Sequence, residues 1–386
     1  MFFLSLAKSS HALPIFLNQN RWTLAQKLAS LLHSRKLYFL IVAFAVAAVI
    51  PLIAPDAFFI YVLTLITIFA IYASSWNLLA NSGQGSLGHA VFLGLGGFAS
   101  ALLGGTLSSV LSSALGVSRL TGPIAAFVLI SVLLVGGLVS AGIGLLIGLA
   151  CVRLKAWFLA MVTFGFSVIA ESLFSQFDSV THGNTGFPPV LLVAKGFPFY
   201  LLSLSFAAIS ISVMFLIMRS RMGLAFKAIR ENESEARMVG INTAKYNLLA
   251  FVISTFFAGM AGGLYAFFIR YIDNSIFQPA NSFTPLIMSV IGGLGTALGP
   301  IIGSVILVSV QTLLSLPSVT DALQNSLGHF FPEVSNVGPP FSFLCIGVFL
   351  VVIVIFAPKG VTSLIQKAYN RVRMSRTEAK GSEGKR

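Results

Sequence analysis

Apolar and polar positions alternate in long blocks along this chain. Apolar runs fall at roughly 37–55, 57–80, 85–105, 122–150, 157–177, 199–218, 246–270, 283–293, 296–316 and 340–357. A helix crossing a hydrocarbon core needs about 20 consecutive apolar residues. Most of these runs meet that length. The run 283–293 does not, so it is expected as a half-helix or broken span, which is tolerated where protein rather than lipid surrounds it. The pattern predicts an all-α polytopic membrane bundle of about 8–10 transmembrane segments. It divides into an arm at 1–36, a membrane domain at 37–357 and a tail at 358–386.

One polar interval stands out. Ser220–Lys245 is a charged segment between the apolar runs Leu201–Met218 and Tyr246–Ile269. Met222, Ala225, Phe226 and Ile229 follow i, i+3, i+4, i+7 spacing, so 221–230 is expected as an amphipathic helix lying on the bundle floor. The pattern breaks at Glu231-Asn232. Asn232 is a good N-cap, and Glu235 three residues later suits a capping box. Glu233 precedes Arg237 by four residues, the favourable order for an ion pair on a helix surface. Gly240 suits the left-handed position after a helix end. The spacing therefore predicts a second helix over roughly 233–239. A helix so short is marginal alone in water. Its strong end signals suit a shape held for docking, and a solvated linker with ordinary caps would show the same pattern.

Composition agrees with a membrane solvent. The 386 residues are 56% hydrophobic and 9% charged, with mean hydropathy +0.93. Soluble domains carry about 25% charged residues. Lys and Arg remain on the cytoplasmic side of a membrane protein, whereas Asp and Glu contribute little to this rule. All of the 24 basic residues except Arg119, Lys195 and Arg270 lie before the first run, between the fourth and fifth, in the 219–245 loop or in the tail. Both termini are therefore expected in the cytoplasm, which demands an even number of crossings and counts 283–293 as one. The net charge of +13 is explained by this topology and by anionic lipid, with no nucleic acid partner. Met1–Ser34 lacks a continuous apolar region followed by a small-residue cleavage site, so it is expected as a cytoplasmic arm, with Arg21–Leu32 lying on the inner leaflet. Cys151 and Cys345 sit in or beside separate runs and imply neither a disulfide nor a metal site.

No soluble catalytic domain fits between the runs, and no catalytic or metal-ligating residue is assigned. There is no P-loop and no His-Glu-x-x-His motif. Gly83-Gln84-Gly85-Ser86-Leu87-Gly88 matches G-x-G-x-x-G, but its flanks are apolar runs rather than the βαβ unit that nucleotide binding requires. A second glycine cluster, Gly292, Gly293, Gly295, Gly299 and Gly303, surrounds the short eighth run. Together the clusters form a weak internal repeat. Paired glycine-interrupted segments in two halves point to a transporter's path. Glycine at three- or four-residue spacing also serves close helix packing, as for Gly144/Gly148 and Gly259/Gly263. Both readings stand. Substrate-path candidates are Gln84, Gly85, Ser86, His89, Thr163, Glu171, Ser289, Gly292 and Gly293, with Asn77 and Asn81 nearby. Glu171, an ionisable group inside a run, is a functional hypothesis by default; snorkelling to the outer interface or pairing with a partner chain competes. His89 is read as a packing histidine ahead of a ligand. One Glu and one His are too few for an ion relay, so the driving force is expected from elsewhere.

The loop run S-R-M-G-L-A-F-K-A-I-R-E-N-E…E-A…G-I-N resembles the cytoplasmic loop of branched-chain amino acid permeases of ABC importers, the LivM/LivH type. Asn77-Leu78-Leu79 with Ser82–Ala90, Ala160–Phe164, Ala258–Tyr265, Gly292-Gly293-Leu294-Gly295 with Gly299-Pro300 and Gly303, and Phe356–Gly360 are similar to further segments of that family. The resemblance covers roughly 40–365. It implies that Arg230, Glu231, Asn232, Glu233, Glu235, Ala236, Arg237 and Gly240 form the ATPase-coupling element. Arg237 stands where the general E-A-A-x-x-x-G motif has Ala, so the docking role carries over and side-chain contacts of other ABC families do not.

The resemblance further implies two ABC ATPase subunits that bind ATP and Mg, a second permease subunit, an extracytoplasmic substrate-binding protein and a location in the bacterial inner membrane, among its lipids. This chain itself would hold no cofactor. The loops 106–121, 178–198 and 317–339 would face the binding protein. Substrates of the resembling family include leucine, isoleucine and valine, and also urea, short amides and aromatic acids. The competing reading is a stand-alone secondary transporter or channel for small polar solutes such as urea or amides.

Overall fold

The computed structural model describes residues 35–53, 56–116, 122–151, 154, 156–177, 181–316, 318–319, 347–348, 350–351, 355 and 360–364. The arm, most of the tenth apolar run and most of the tail lie outside the described residues. The chain divides into two units, Met1–Leu52 and Ile53–Arg386. An apolar helix, α1, covers Arg35–Ile53, with Pro51 in its last turn, and all of it but Ile53 belongs to the first unit.

The second unit holds six helices long and apolar enough to cross a membrane. These are α2 (Ala57–Ala80), α3 (His89–Leu115), α4 (Gly122–Cys151), α5 (Ala156–Gln176), α6 (Phe197–Arg219) and, after two short helices, α9 (Thr243–Ile269). The short helices are α7 (Arg221–Glu231) and α8 (Glu233–Met238). Two further helices follow: α10 (Pro279–Gly292) and α11 (Gly299–Leu314). The chain is a polytopic helical membrane protein.

At the centre of the bundle, α9 packs on α2, α3 and α4. Small residues permit this. A Cβ on Gly96 would collide with the Gly259 backbone, one on Gly259 with Ser140, and one on Gly144 with Thr255. Lipid tails are as apolar as leucine, so such helices associate through close packing rather than hydrophobic burial. Hydroxyls add bonds across the seams: Ser100 Oγ donates to the Val132 carbonyl at 3.0 Å and Ser140 Oγ to that of Phe92 at 2.9 Å.

Four expectations need correction. The third run, expected as a span over 85–105, becomes helical only at His89, because Gly83–Gly88 form a non-helical segment, and it continues to Leu115. The loop expected at 106–121 is therefore helical through its first ten residues. Its Ser and Thr composition suggested a loop, but Thr106, Ser109, Ser112 and Ser113 return their hydroxyls to carbonyls three or four residues back, which hides their polarity within the helix. The eighth run starts at Pro279 rather than 283, and its 14 residues rise only about 21 Å at 1.5 Å per residue. It is a half-helix continued by the 3₁₀ turn Asn274–Phe277. Likewise α11 has 16 residues, about 24 Å, because Thr296 is spent on closing the preceding turn: its Oγ1 accepts from Gly299 N at 3.0 Å and donates to the Gly293 carbonyl at 2.8 Å.

Two features locate the ends of the bundle. α7 and α8 join the C-terminal end of α6 to the N-terminal end of α9. At the opposite end, Phe187 and Ile272 form an isolated antiparallel bridge, and the Lys195 ammonium lies 5.9 Å from the Phe268 ring centroid. Burial, with a smaller push from the Arg270 cation, lowers the Lys195 pKa.

Candidate functional site

Ser220 both ends α6 and caps α7, its Oγ accepting from Met222 N at 3.2 Å. α7 buries Gly223, Ala225, Phe226 and Ile229. Phe226 meets Tyr246 of α9 edge to face at 6.3 Å, while Gly223 lies so close to Met218 that any side chain there would clash with its backbone. α7 is thus held against two spanning helices.

Asn232 closes α7 and opens α8. Its backbone N–H donates to the Ala228 carbonyl at 3.1 Å, and its Oδ1 accepts from Ser234 N at 3.0 Å and Glu235 N at 3.3 Å. Glu235 completes the cap through the Asn232 side-chain amide at 2.6 Å. The usual capping box returns to the N-cap backbone N–H, but here α7 has already taken that group. Arg237 pairs with Glu233 at 2.8 Å and also donates to Thr243 Oγ1 of α9 at 3.2 Å. After α8, Gly240 has φ +87°, with Gly240 N donating to the Arg237 carbonyl and Ile241 N to that of Ala236, both at 3.1 Å. This double closure is a Schellman motif, which satisfies the last carbonyls of the helix. Of α8 only Ala236 is buried. Met238 and Val239 are 85% and 76% exposed, an apolar pair at the tip of an otherwise charged loop.

Arg230, at the end of α7, touches both glycine segments. A Cβ on Gly83 would lie 3.1 Å from Arg230 Cα, and one on Gly295 would lie 2.6 Å from its Nη1. Arg230 Nη1 reaches Asn81 Oδ1 at 3.5 Å. Asn77, one turn earlier on α2, accepts from Gly295 N at 2.9 Å and donates to the Thr296 carbonyl at 3.0 Å. The two glycine turns therefore meet at one end of the bundle, tied through α2 and capped by α7. Gly83, Gly293 and Gly295 all have positive φ there, which only glycine adopts cheaply.

The path candidates fall into three places. Gln84, Gly85, Ser86, His89 and Thr163 gather around the non-helical segment between α2 and α3. Thr163 Oγ1 accepts from Leu87 N at 3.1 Å, and a Cβ on Gly88 would strike the Thr163 carbonyl. His89 is fully buried, stacked on Tyr72 at 5.5 Å, with Nε2 3.1 Å from Ser75 Oγ and 3.4 Å from Ser254 Oγ. Gln84 Oε1, Ser86 Oγ and His89 Nδ1 are buried with no hydrogen-bond partner among the described residues. Ser289, Gly292 and Gly293 belong to the α10–α11 turn, where Ser289 Oγ donates to the Ala73 carbonyl at 3.1 Å and the Pro285 carbonyl at 2.7 Å. Glu171 stands apart, half-buried on α5, with no hydrogen bond or ion pair to either group among the described residues. No three His, Cys, Asp or Glu side chains among the described residues are placed to hold a metal ion.

Sequence reasoning passed over the groups that complete this centre. Ser282 Oγ at the start of α10 accepts from Ala90 N of α3 at 3.0 Å, so the two broken spans meet inside the bundle. Ser167 Oγ donates to the Phe277 carbonyl at 2.6 Å. Trp76 Nε1 donates to the Ser86 carbonyl at 2.8 Å. Ser167 and Trp76 are a single hydroxyl and indole in apolar runs, Ser282 sits just before one, and no periodicity distinguishes any of them from its neighbours.

Comparison with known proteins places this arrangement. A family described as branched-chain amino acid transport system / permease component matches residues 58–355. The high-affinity branched-chain amino acid transport system permease protein LivM of Salmonella typhimurium is 27% identical over 277 residues, 64% of this chain and 60% of that protein. LivM of Escherichia coli is 26% identical over 279 residues, with the same shares. The probable LivM of Methanocaldococcus jannaschii is 26% identical over 145 residues, 37% of this chain and 40% of its own length. This chain thus matches 60% of the length of the two bacterial relatives. No solved structure matches it. The matched region holds both glycine turns, α7, α8 and the buried hydroxyl centre, and the chain belongs to the family of branched-chain amino acid transport system permease components.

Proposed function

We propose that this chain is the membrane-spanning permease subunit of an ABC importer and moves branched-chain or related small amino acids across the bacterial inner membrane. Two ATPase subunits, binding ATP and Mg, dock on the 219–245 loop. A second permease chain completes the pathway, and an extracytoplasmic binding protein delivers the substrate. The α7–α8 end faces the cytoplasm, consistent with the basic residues of that loop.

One observation carries this reading: α8 has both ends closed and an exposed apolar tip, and α7 beside it rests on both glycine turns through Arg230. A helix of six residues has no stability of its own, so its shape comes from Asn232, the Glu233–Arg237 pair and Gly240. Met238 and Val239 supply the apolar contact for a cleft on the ATPase. Movement of the ATPases would displace α8 and α7 as one body, and Arg230 would pass it to the turns that begin α3 and α11. A shared rigid element that both sites bias is the physical requirement for such coupling. The non-helical Gly83–Gly88 segment and the adjoining His89, where Gln84 Oε1, Ser86 Oγ and His89 Nδ1 have no hydrogen-bond partner among the described residues, are where a path opens most cheaply. An unmade buried bond costs about 1–3 kcal/mol, which water or substrate would recover on opening.

The test uses the complex reconstituted in proteoliposomes with its ATPases and binding protein. Met238→Asp with Val239→Asp leaves the caps of α8 intact. It is expected to lower ATPase co-purification or substrate-stimulated ATP hydrolysis at least tenfold. Normal association together with normal stimulation would sink the docking claim. The secondary-transporter reading instead requires ion-driven uptake by this chain alone.

A further inference from the structure

At the end of the bundle opposite α8, a cavity of about 180 Å³ lies between α2, α3, the end of α9 and the start of α10. Phe69, Leu93 and Ile269 form apolar walls, and the Phe69 and Tyr265 rings meet at 6.0 Å, nearly edge to face. Asp273 is the charged residue among the described residues lining it, and Asn281 lies beside it. Asp273 Oδ1 accepts from Ser275 N at 3.2 Å and from Ser275 Oγ at 2.6 Å, and its other oxygen accepts no hydrogen bond from the described residues.

We infer that this cavity is a substrate subsite that takes the ammonium group of a small aliphatic amino acid on Asp273 and its side chain against Phe69, Leu93 and Ile269. The inference rests on the permease reading above. Size limits the occupant first. The volume equals about six waters at roughly 30 Å³ each, and lies below the range of about 300–1,000 Å³ for drug-sized ligands. That volume suits a molecule the size of a single amino acid. Charge then selects among small molecules. A carboxylate beside aromatic rings attracts a cation by charge-assisted hydrogen bonding and by the ring faces. The same carboxylate repels an anion that lacks a compensating amine.

Position supports a role on the path. Leu93 is one turn beyond His89, and Asn281 directly precedes Ser282, which accepts from Ala90 N. The cavity floor is therefore the seam where the two broken spans meet. An amino acid released at the outer face would rest here before the seam opens.

The experiment measures [14C]leucine binding to the permease–ATPase complex in nanodiscs, without binding protein. Wild type and Asp273→Glu are expected to bind saturably. Asp273→Asn keeps an oxygen that can cap Ser275 but loses the charge, and is expected to bind at least tenfold more weakly. 4-Methyl-2-oxopentanoate, which replaces the amine with a carbonyl oxygen, is expected not to compete. Equal leucine binding by Asp273→Asn and wild type, equal competition by the keto acid, or no wild-type binding would each overturn the subsite. ATP-driven uptake with the binding protein is measured in parallel. Uptake without nanodisc binding would sink the subsite alone, whereas no wild-type uptake of any branched-chain amino acid would sink the permease function itself.

Discussion

At the scale of single residues, Arg230 and Asn77 have the most to lose. Asn77 bonds both sides of the Gly295-Thr296 turn. Asn77→Leu keeps the approximate volume but leaves a backbone N–H and a carbonyl without partners. The expected cost is about 2–4 kcal/mol, read as a fall in the thermal unfolding midpoint of the purified complex. Arg230 is exposed along much of its length, so Arg230→Ala should leave the midpoint within a degree or two. It should nevertheless reduce uptake per ATP hydrolysed several-fold if the guanidinium carries motion between α7 and the turns. Unchanged coupling in reconstituted vesicles would show that backbone packing alone suffices. The polar identity of Asn77, Asn81 and Arg230 was legible in the sequence. Their meeting was not, because α2, α7 and the α10–α11 turn are far apart along the chain.

At the scale of elements, α8 tests whether a capped shape is needed. Gly240→Pro removes the N–H that bonds the Arg237 carbonyl and forbids φ +87°. Uptake and substrate-stimulated ATP hydrolysis should both fall severely, while the apolar spans still insert. Gly240→Ala retains the bond and strains only φ, at a cost of roughly 1 kcal/mol, so a milder loss is expected. The order Gly > Ala > Pro in stimulated ATPase rate would separate geometry from simple intolerance of change. α7 and α8 could be read in advance because caps and ion pairs are local, spanning three or four residues. The start of α3 could not. A Cβ on Gly88 would strike the carbonyl of Thr163, and Leu87 N donates to the Thr163 hydroxyl, so the segment before α3 is tied to a different span, far along the chain.

At the scale of the molecule, glycine seams hold the spans together. Gly259→Leu on α9 would push against Ser140 of α4 and is expected to abolish assembly with the ATPases, measured as yield of the intact complex by size-exclusion chromatography. Gly142 lies on the same α4 with nothing within 4 Å of a Cβ, so Gly142→Leu should assemble normally. Both substitutions are equally apolar, and only helix-to-helix distance distinguishes them. The bundle also clarifies the eighth apolar run. It is a half-helix whose first turn meets α3, where Ser282 Oγ accepts from Ala90 N; a helix too short to span is tolerated at membrane depth where protein rather than lipid surrounds it.

Hydropathy and short-range spacing determined by themselves that this chain lives in a membrane, where most spans lie, and that a capped helix interrupts them at roughly 233–239, one residue beyond its observed end at Met238. These properties depend on the solvent and on neighbours within a turn or two. Tertiary structure decided which glycines pack and which turn, that Arg230 and Asn77 join two distant segments, and that Asp273 lines a cavity. Those outcomes depend on how separate helices approach one another. A glycine, a serine or a lone aspartate looks the same in sequence whichever neighbour it will meet.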